Sequence, residues 1–276
     1  MEILRLTKNK IDLKQWDKQY ASPAHCTKVI EDDTIVYLNG SDVPAIIYLR
    51  DAVTIPAGLV TNLKVSKFGT QTRQSGIAPK NLTFGYTPRN PVYTRENCQA
   101  TRMTNDSPEL MARLAALGTE LDALYKERNP IIYAKHSQQT SEVLSDWRIS
   151  GTVFTSGVVN KNSQLPYHYD RGNFKEAWSA MVTLRNGING GYLACPEIDT
   201  LIKNTNGSLL LFDGQSLLHG VTPIGYSTAS AYRYTIVYYS LAKMWQCLAP
   251  LEELKRANKV RAGREIRRAN EMRNNG

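Results

Sequence analysis

The sequence predicts a mainly β protein with flanking helices, organised around a double-stranded β-helix, or jelly roll. Three observations predict it. Between residues 148 and 242, short segments rich in β-branched and aromatic residues alternate with turn chemistry, the pattern of an antiparallel sandwich or barrel. Ahead of them stands one helix with a single leucine stripe, suited to buttress a sheet. A His-x-Asp pair, His168 and Asp170, is followed about fifty residues later by His219. A double-sheet jelly roll would bring all three near one open end.

In chain order, residues 1–40 are polar and irregular, with apolar anchors at Ile3, Leu4, Leu6 and Trp16. Segments 45–49 and 63–68 read as strands. Residues 68–105 are rich in Gly, Pro, Thr, Asn and Arg, and long irregular segments of this kind tend to be functional or disordered. Here Phe84, Tyr86 and Arg89 alternate aromatic and basic character, and Tyr93-Thr94-Arg95 follows. Such interleaving suits bases stacked on rings and phosphates held by guanidinium, although an ordinary surface loop accounts for the same residues.

The clearest helix comes next. Ser107 is a good N-cap, Pro108 suits the first turn and Glu109 favours the positive dipole end. Leu110, Leu114, Leu117, Leu121 and Leu124 repeat at three and four to make one apolar stripe, and Asn129-Pro130 ends it. Strands are then expected at 150–159, 179–184, 192–194, 208–212 and 232–239, with turns at Asn189-Gly190-Gly191 and Asn206-Gly207. The organisation is therefore 1–147, an N-terminal part with irregular loops and a buttressing helix packed on the core; 148–242, the β-helix core; and 243–276, a basic, helical, loosely held tail.

Composition narrows the class. The chain has 276 residues and 42% hydrophobic content, enough for a core. No run of about eighteen apolar residues exists and no signal-peptide core opens the chain, so no membrane partner and an intracellular location are expected. Cys26, Cys98, Cys195 and Cys247 are scattered without a Cys-x-x-Cys, which reads as reduced thiols, neither a disulfide framework nor a zinc site. The net charge is +9. Residues 251–276 carry eight Lys/Arg against four Glu, leaving +5 elsewhere, so a polyanionic partner, nucleic acid first, is plausible. No obligate protein partner is inferred.

The chemistry lies in the ordered polar residues. On a strand, His168 and Asp170 would share a face, roughly 6–7 Å apart at Cα. With His219 they make two histidines and one carboxylate, the facial triad of non-heme Fe(II) oxygenases, which leaves positions open for a co-substrate and O₂. Arg233 and Thr235 share a face of the apolar strand that follows. A guanidinium forks onto a carboxylate with two parallel hydrogen bonds, which suits the distal carboxylate of 2-oxoglutarate. His25 and His136 read as structural or surface residues, and Tyr169 as facing away from the ligands into packing.

At these residues the sequence resembles a known family. Pro166-Tyr167-His168-Tyr169-Asp170-Arg171-Gly172-Asn173, Ser179-Ala180-Met181, Asn189-Gly190-Gly191-Tyr192-Leu193, Leu209-Leu210-Leu211-Phe212-Asp213-Gly214, His219-Gly220-Val221-Thr222-Pro223-Ile224 and Arg233-Tyr234-Thr235 are similar to the thymine-hydroxylase domain of base J-binding proteins. That domain belongs to the TET/JBP branch of 2-oxoglutarate/Fe(II) dioxygenases. The likeness covers about residues 148–242. It implies Fe(II), 2-oxoglutarate and O₂ as cofactors, with iron held by His168, Asp170 and His219. It also implies 2-oxoglutarate on Arg233, with Thr235 standing where a serine is common, and oxidation of the 5-methyl group of thymine or 5-methylcytosine in DNA. Arg171 and Asn173, directly after the ligands, become candidates for the flipped base and its phosphate. The same iron motif serves dioxygenases of protein side chains, free nucleosides and small metabolites, and a non-catalytic cupin-like binding module is the reading from another class.

Overall fold

The computed structural model describes residues 1–16, 19–70, 80–90 and 95–274. The strands are β1 (Glu2–Leu6), β2 (Lys28–Ile30), β3 (Thr34–Leu38), β4 (Pro44–Leu49), β5 (Gly69–Thr70), β6 (Lys80–Thr87), β7 (Gln99–Ala100), β8 (Ser156–Lys161) and β9 (Leu165–His168). They continue as β10 (Ser179–Asn186), β11 (Ile188–Gly190), β12 (Leu193–Cys195), β13 (Thr200–Ile202), β14 (Ser208–Phe212), β15 (His219–Val221), β16 (Ile224–Tyr226) and β17 (Tyr232–Tyr239). The helices are α1 (Leu13–Trp16), α2 (Leu59–Val65), α3 (Arg102–Asp106), α4 (Pro108–Arg128), α5 (Pro130–Ser141) and α6 (Pro250–Asn274).

A major sheet runs in the order β1-β3-β4-β14-β10-β17-β8-β6-β5, with β7 paired off β6. A minor sheet runs β2-β13-β12-β15-β9, and β11 and β16 form a separate ribbon. The two sheets make the jelly roll.

Period-two alternation decides which side chains enter each layer. In β14, Leu209 and Leu211 join one core with Ala180, Val182, Tyr234, Ile236 and Tyr238, packed against Leu110, Leu114, Leu117, Leu121 and Tyr125 of α4. Leu210 and Phe212 point the other way and meet Met181, Ile46 and Tyr48, with Ile30, Leu193, Ile202 and Val221 of the minor sheet. One sheet thus has a core on each face. The leucine stripe of α4 lies against it, with Tyr125 taking the buried position beside partly buried Leu124. Asn129 ends α4 and caps α5, its Oδ1 accepting from Ile132 N–H at 3.3 Å.

Several expectations are corrected. Segment 63–68 is not a strand: α2 buries Leu59 and Leu63, a four-residue spacing that alternation cannot read. Residues 1–40 contribute β1, β2 and β3, and the irregular stretch 68–105 contains β6, which pairs along β8. The first 147 residues therefore extend the core sheet itself. Cys98 and Cys247 form a disulfide, with Cα atoms 5.8 Å apart and a separation of 149 positions in sequence. Cys26 and Cys195 are the free thiols. Spacing rules see local motifs, and this pair is joined only by the fold. Among the described residues no helix is long and apolar enough to cross a membrane.

Candidate active site

His168 is the last residue of β9 and its register partner across the minor sheet is His219, the first residue of β15. Their rings lie 4.4 Å apart at a 53° tilt. Asp170 stands past the strand end, so the shared-face argument does not hold it; its backbone N–H donates to Gly214 O at 2.8 Å. Its Oδ1 lies 3.7 Å from His168 Nε2 and 3.8 Å from His219 Nε2. Ligand atoms of the three residues all lie within 4.8 Å of one another.

The tautomers follow from the partners. His168 Nδ1 is 2.9 Å from Pro166 O, and His219 Nδ1 is 2.9 Å from Leu217 O. A carbonyl only accepts, so each Nδ1 carries the proton and each Nε2 turns toward Asp170 as a ligand nitrogen. Such outer hydrogen bonds orient metal-binding histidines. Phe212 packs edge-on against buried His219, ring centres 5.1 Å apart.

Glu197 braces the arrangement from behind. This buried carboxylate accepts from Leu218 N–H at 2.7 Å and from the Tyr169 hydroxyl at 2.9 Å. It thereby ties the segment before His219 to the residue between His168 and Asp170. Lys8 balances it at 3.4 Å. Tyr169 faces this packing, away from the ligands. Gly214 has a steric role: a β-carbon there would fall on the Asp170 carboxylate and lie 3.3 Å from His219 Cε1.

Arg233 and Thr235 point inward from β17, opposite in phase to Tyr234 and Ile236. Arg233 is 1% exposed. Its Nε and Nη2 have no hydrogen-bond partner among the described residues. Burial, with the neighbouring charge of Arg185, pulls its guanidinium down to about 9. Arg185 itself donates to the carbonyls of Ile188, Gly190 and Asn204. Gly191, at φ +66°, makes room: a β-carbon would sit 2.7 Å from Arg233 Cδ. Thr235 Oγ1 accepts from Asn160 Nδ2 at 3.4 Å. A buried cation with two unmet donors fits a carboxylate, and the His-Asp-His set fits a divalent iron, so the residues present suit both groups.

The other candidates fall elsewhere. Phe84 is wholly buried in the core over Gly157 and 5.0 Å from the Tyr238 ring; it cannot stack a base. Tyr86 packs edge-on against Trp147. Arg89 is committed to the buried carboxylate of Glu253 in α6. Pattern alone suggested an interface, whereas β6 turns its aromatics inward. Tyr93 and Thr94 lie outside the described residues, and Arg95 donates to Pro88 O. Arg171 is exposed, and Asn173 is half-buried with its backbone bridging Leu241. His136 is structural, bonded to Ser240 Oγ at 2.9 Å; His25 is 3.0 Å from the Tyr167 hydroxyl. Gly214, Gly191 and Glu197 were missed by motif reading. The two glycines sit in quoted motifs as apparent turn residues, and Glu197 has partners 21 and 28 residues away, which no local pattern reveals.

The model of the Tet/JBP family, the oxygenase domain of the 2OGFeDO superfamily, matches residues 86–242. The match begins well ahead of residue 148, at the end of β6. The bifunctional helicase and thymine dioxygenase JBP2 of Leishmania tarentolae is 27% identical over 209 residues, covering 76% of this chain and 18% of that protein. Its counterpart from Trypanosoma brucei brucei is 28% identical over 233 residues, covering 80% and 21%. The chain thus spans about a fifth of these curated relatives. The solved structure of NgTET1 in complex with 5mC DNA superposes with a TM-score of 0.59 at 15% identity, covering 80% of this chain and 81% of that one, a likeness of fold. With the family model matching more than half of its length, the chain belongs to the Tet/JBP oxygenase domains of the 2-oxoglutarate/Fe(II) dioxygenase superfamily.

Proposed function

We propose that this protein oxidises the 5-methyl group of a pyrimidine base in DNA, thymine or 5-methylcytosine, with O₂ as oxidant. The observations that carry the proposal are the three candidate ligand side chains, whose ligand atoms lie within 4.8 Å of one another, and the buried guanidinium on the inward face of β17 with two unmet donors. The dioxygenase named for thymine among the relatives and the 5mC DNA bound to NgTET1 support the substrate class.

In this reading His168, Asp170 and His219 hold Fe(II), each histidine through Nε2. Fe(II) with 2-oxoglutarate supplies the oxidising chemistry, releasing succinate and CO₂ as a C–H bond becomes C–OH. Arg233 binds the far carboxylate through Nε and Nη2, and Thr235 adds its hydroxyl. Gly191 keeps the guanidinium free to turn. Phe212 and the inter-sheet core exclude water from the inner side of His219. The target base must leave the duplex stack, at a cost of a few kcal/mol. Arg171 and Asn173, following the ligands, face this extruded nucleotide: Asn173 donates and accepts at a base edge, and Arg171 holds its phosphate.

The test incubates the protein with Fe(II), 2-oxoglutarate and duplexes that contain or lack 5-methylpyrimidines, followed by mass spectrometry of digested DNA. A 5-hydroxymethyl nucleoside is the expected product. Untouched DNA with succinate released on a peptide, nucleoside or metabolite would remove the DNA substrate and leave the oxygenase; no succinate on any of them would favour a binding module.

A further inference from the structure

Beside the ligand segment the chain builds a rim. Phe174 N–H donates to Ser240 O at 2.9 Å, Ala242 N–H donates to Gly172 O at 2.9 Å, and Asn173 bridges Leu241. Arg171 and Lys243 flank this Gly172–Ala242 bond, Lys243 within the 3-10 turn Ala242–Gln246, and both are exposed. Two exposed cations on either side of one backbone bond give the rim a local positive field that attracts an anion. Trp245 stacks on buried Phe174, ring centres 4.6 Å apart and planes 10° from parallel. Its indole N–H donates to Gln139 O at 2.8 Å. One face and the polar edge are therefore held, yet the side chain is 45% exposed. An aromatic ring fixed in this way loses little entropy when it meets a partner.

The rim is also close in bonding terms to the metal trio. Phe174 O accepts from Gln215 Nε2 at 2.7 Å, and Gln215 follows Gly214, whose carbonyl accepts from Asp170 N–H. Lys175 adds a third exposed cation. The acids on adjoining segments include Glu176, paired with Lys135 at 2.8 Å, Glu142 at the end of α5, and Asp213, which accepts from Gln215 N–H at 2.9 Å.

We propose that Trp245, Arg171 and Lys243 form a docking platform for a nucleic-acid strand. The open face of the indole stacks an unpaired base, and the two cations hold the adjoining phosphates. A flat ring beside charge of one sign matches a polyanion that carries flat bases. A second copy of this chain, itself at +9, is a poor match for it. The platform rests on the DNA reading above and adds where the strand beside the reacting base is held.

The test is fluorescence anisotropy of a labelled oligonucleotide carrying 5-methylcytosine, titrated with full-length protein at several salt concentrations. Trp245→Ala is expected to weaken binding about tenfold or more, and Trp245→Phe to retain most of it. Arg171→Gln and Lys243→Gln should each lower the log–log salt slope by about one. Wild-type binding with an unaffected Trp245→Ala variant overturns the platform alone. Absence of wild-type binding overturns the platform and the DNA reading together. Should Trp245→Ala lower the melting temperature, Lys243→Gln decides, because it leaves the ring stack in place; an unchanged slope overturns the platform. If Trp245→Ala abolishes self-association while DNA affinity holds, the patch belongs to a second copy and the platform is wrong.

Discussion

A guanidinium kept in the core with two unpartnered N–H groups is costly, because each buried donor forfeits its water. Arg233 bears that cost at the end of a row it shares with Arg185, and a bound dicarboxylate would relieve it. Arg233→Ala is expected to raise the 2-oxoglutarate requirement at least tenfold in a succinate-release assay. Arg233→Lys should recover only part, since an ammonium cannot make the two-pronged contact. Full activity of Arg233→Ala at low 2-oxoglutarate would refute the assignment. Gly214 makes a second prediction. Its φ is not in the left-handed region, so alanine is compatible with the backbone, but the added carbon meets the Asp170 carboxylate. Gly214→Ala should weaken Fe(II) affinity at least tenfold by calorimetry with little change in melting temperature. Unchanged affinity would show that the carboxylate has room to move.

Among the elements, β6 and α6 show how pairing overrides composition. The run from Phe84 to Asn90 carries the aromatic and basic residues of an interface, yet β6 pairs with β8 from Asn81 to Gly85 and alternation drives Phe84 inward. Phe84→Ala should cost about 3–5 kcal/mol of stability, as large-to-small changes in a packed core do, measured by chemical denaturation. A cost under 1 kcal/mol with weakened DNA binding would restore Phe84 to an interface role. The first half of α6 is equally tied down. Glu253 accepts from Cys98 N–H at 2.9 Å and Leu248 N–H at 2.8 Å and pairs with Arg89. Glu96 pairs with Arg261 and Arg264. The basic tail is a docked helix at its start, because its Arg261 and Arg264 meet buried Glu96 and its own buried Glu253 meets Arg89, partners more than 150 residues earlier.

On the scale of the whole molecule, burial sets a pH limit. His136 lies in the core among Tyr125, Phe154 and Phe174, and loss of hydration pushes its imidazole down to about 3. Ser240 Oγ donates to Val153 O, so it accepts from His136 Nε2–H, and a second proton would sit on a buried Nδ1 with no partner among the described residues. The unfolded chain takes up that proton near 6.5 and the folded chain near 3. Stability contributed by neutral His136 is therefore complete above about 6.5 and lost as pH falls toward 3, at up to about 1.4 kcal/mol per pH unit. Urea midpoints between pH 7 and 4 should fall less steeply in His136→Gln than in the wild type, and parallel slopes would exclude His136 as the cause. The disulfide makes a further prediction. Unfolded, unreduced protein should titrate two thiols, Cys26 and Cys195, and reduction should cost about 2–4 kcal/mol by removing the long-loop constraint on the unfolded chain; four reactive thiols before reduction would disprove the Cys98–Cys247 bond.

Local period was enough, in the sequence alone, to read β10, β14 and β17 and the helix α4, and to turn Arg233 and Thr235 inward. The ordered His168, Asp170, His219 and Arg233 were legible as a candidate set because their order and spacing along the chain survive without the fold, although Asp170 lies past the strand end. Tertiary structure alone decided the rest. It put Phe84 in the core, made α2 a helix where a strand was expected, joined Cys98 to Cys247, set Glu197 behind two ligand segments and held Asp170 by the carbonyl of Gly214 beyond the end of β9. Each of these depends on contacts between residues far apart in the chain, and a periodicity of two or 3.6 carries no information about which distant segment will supply the partner.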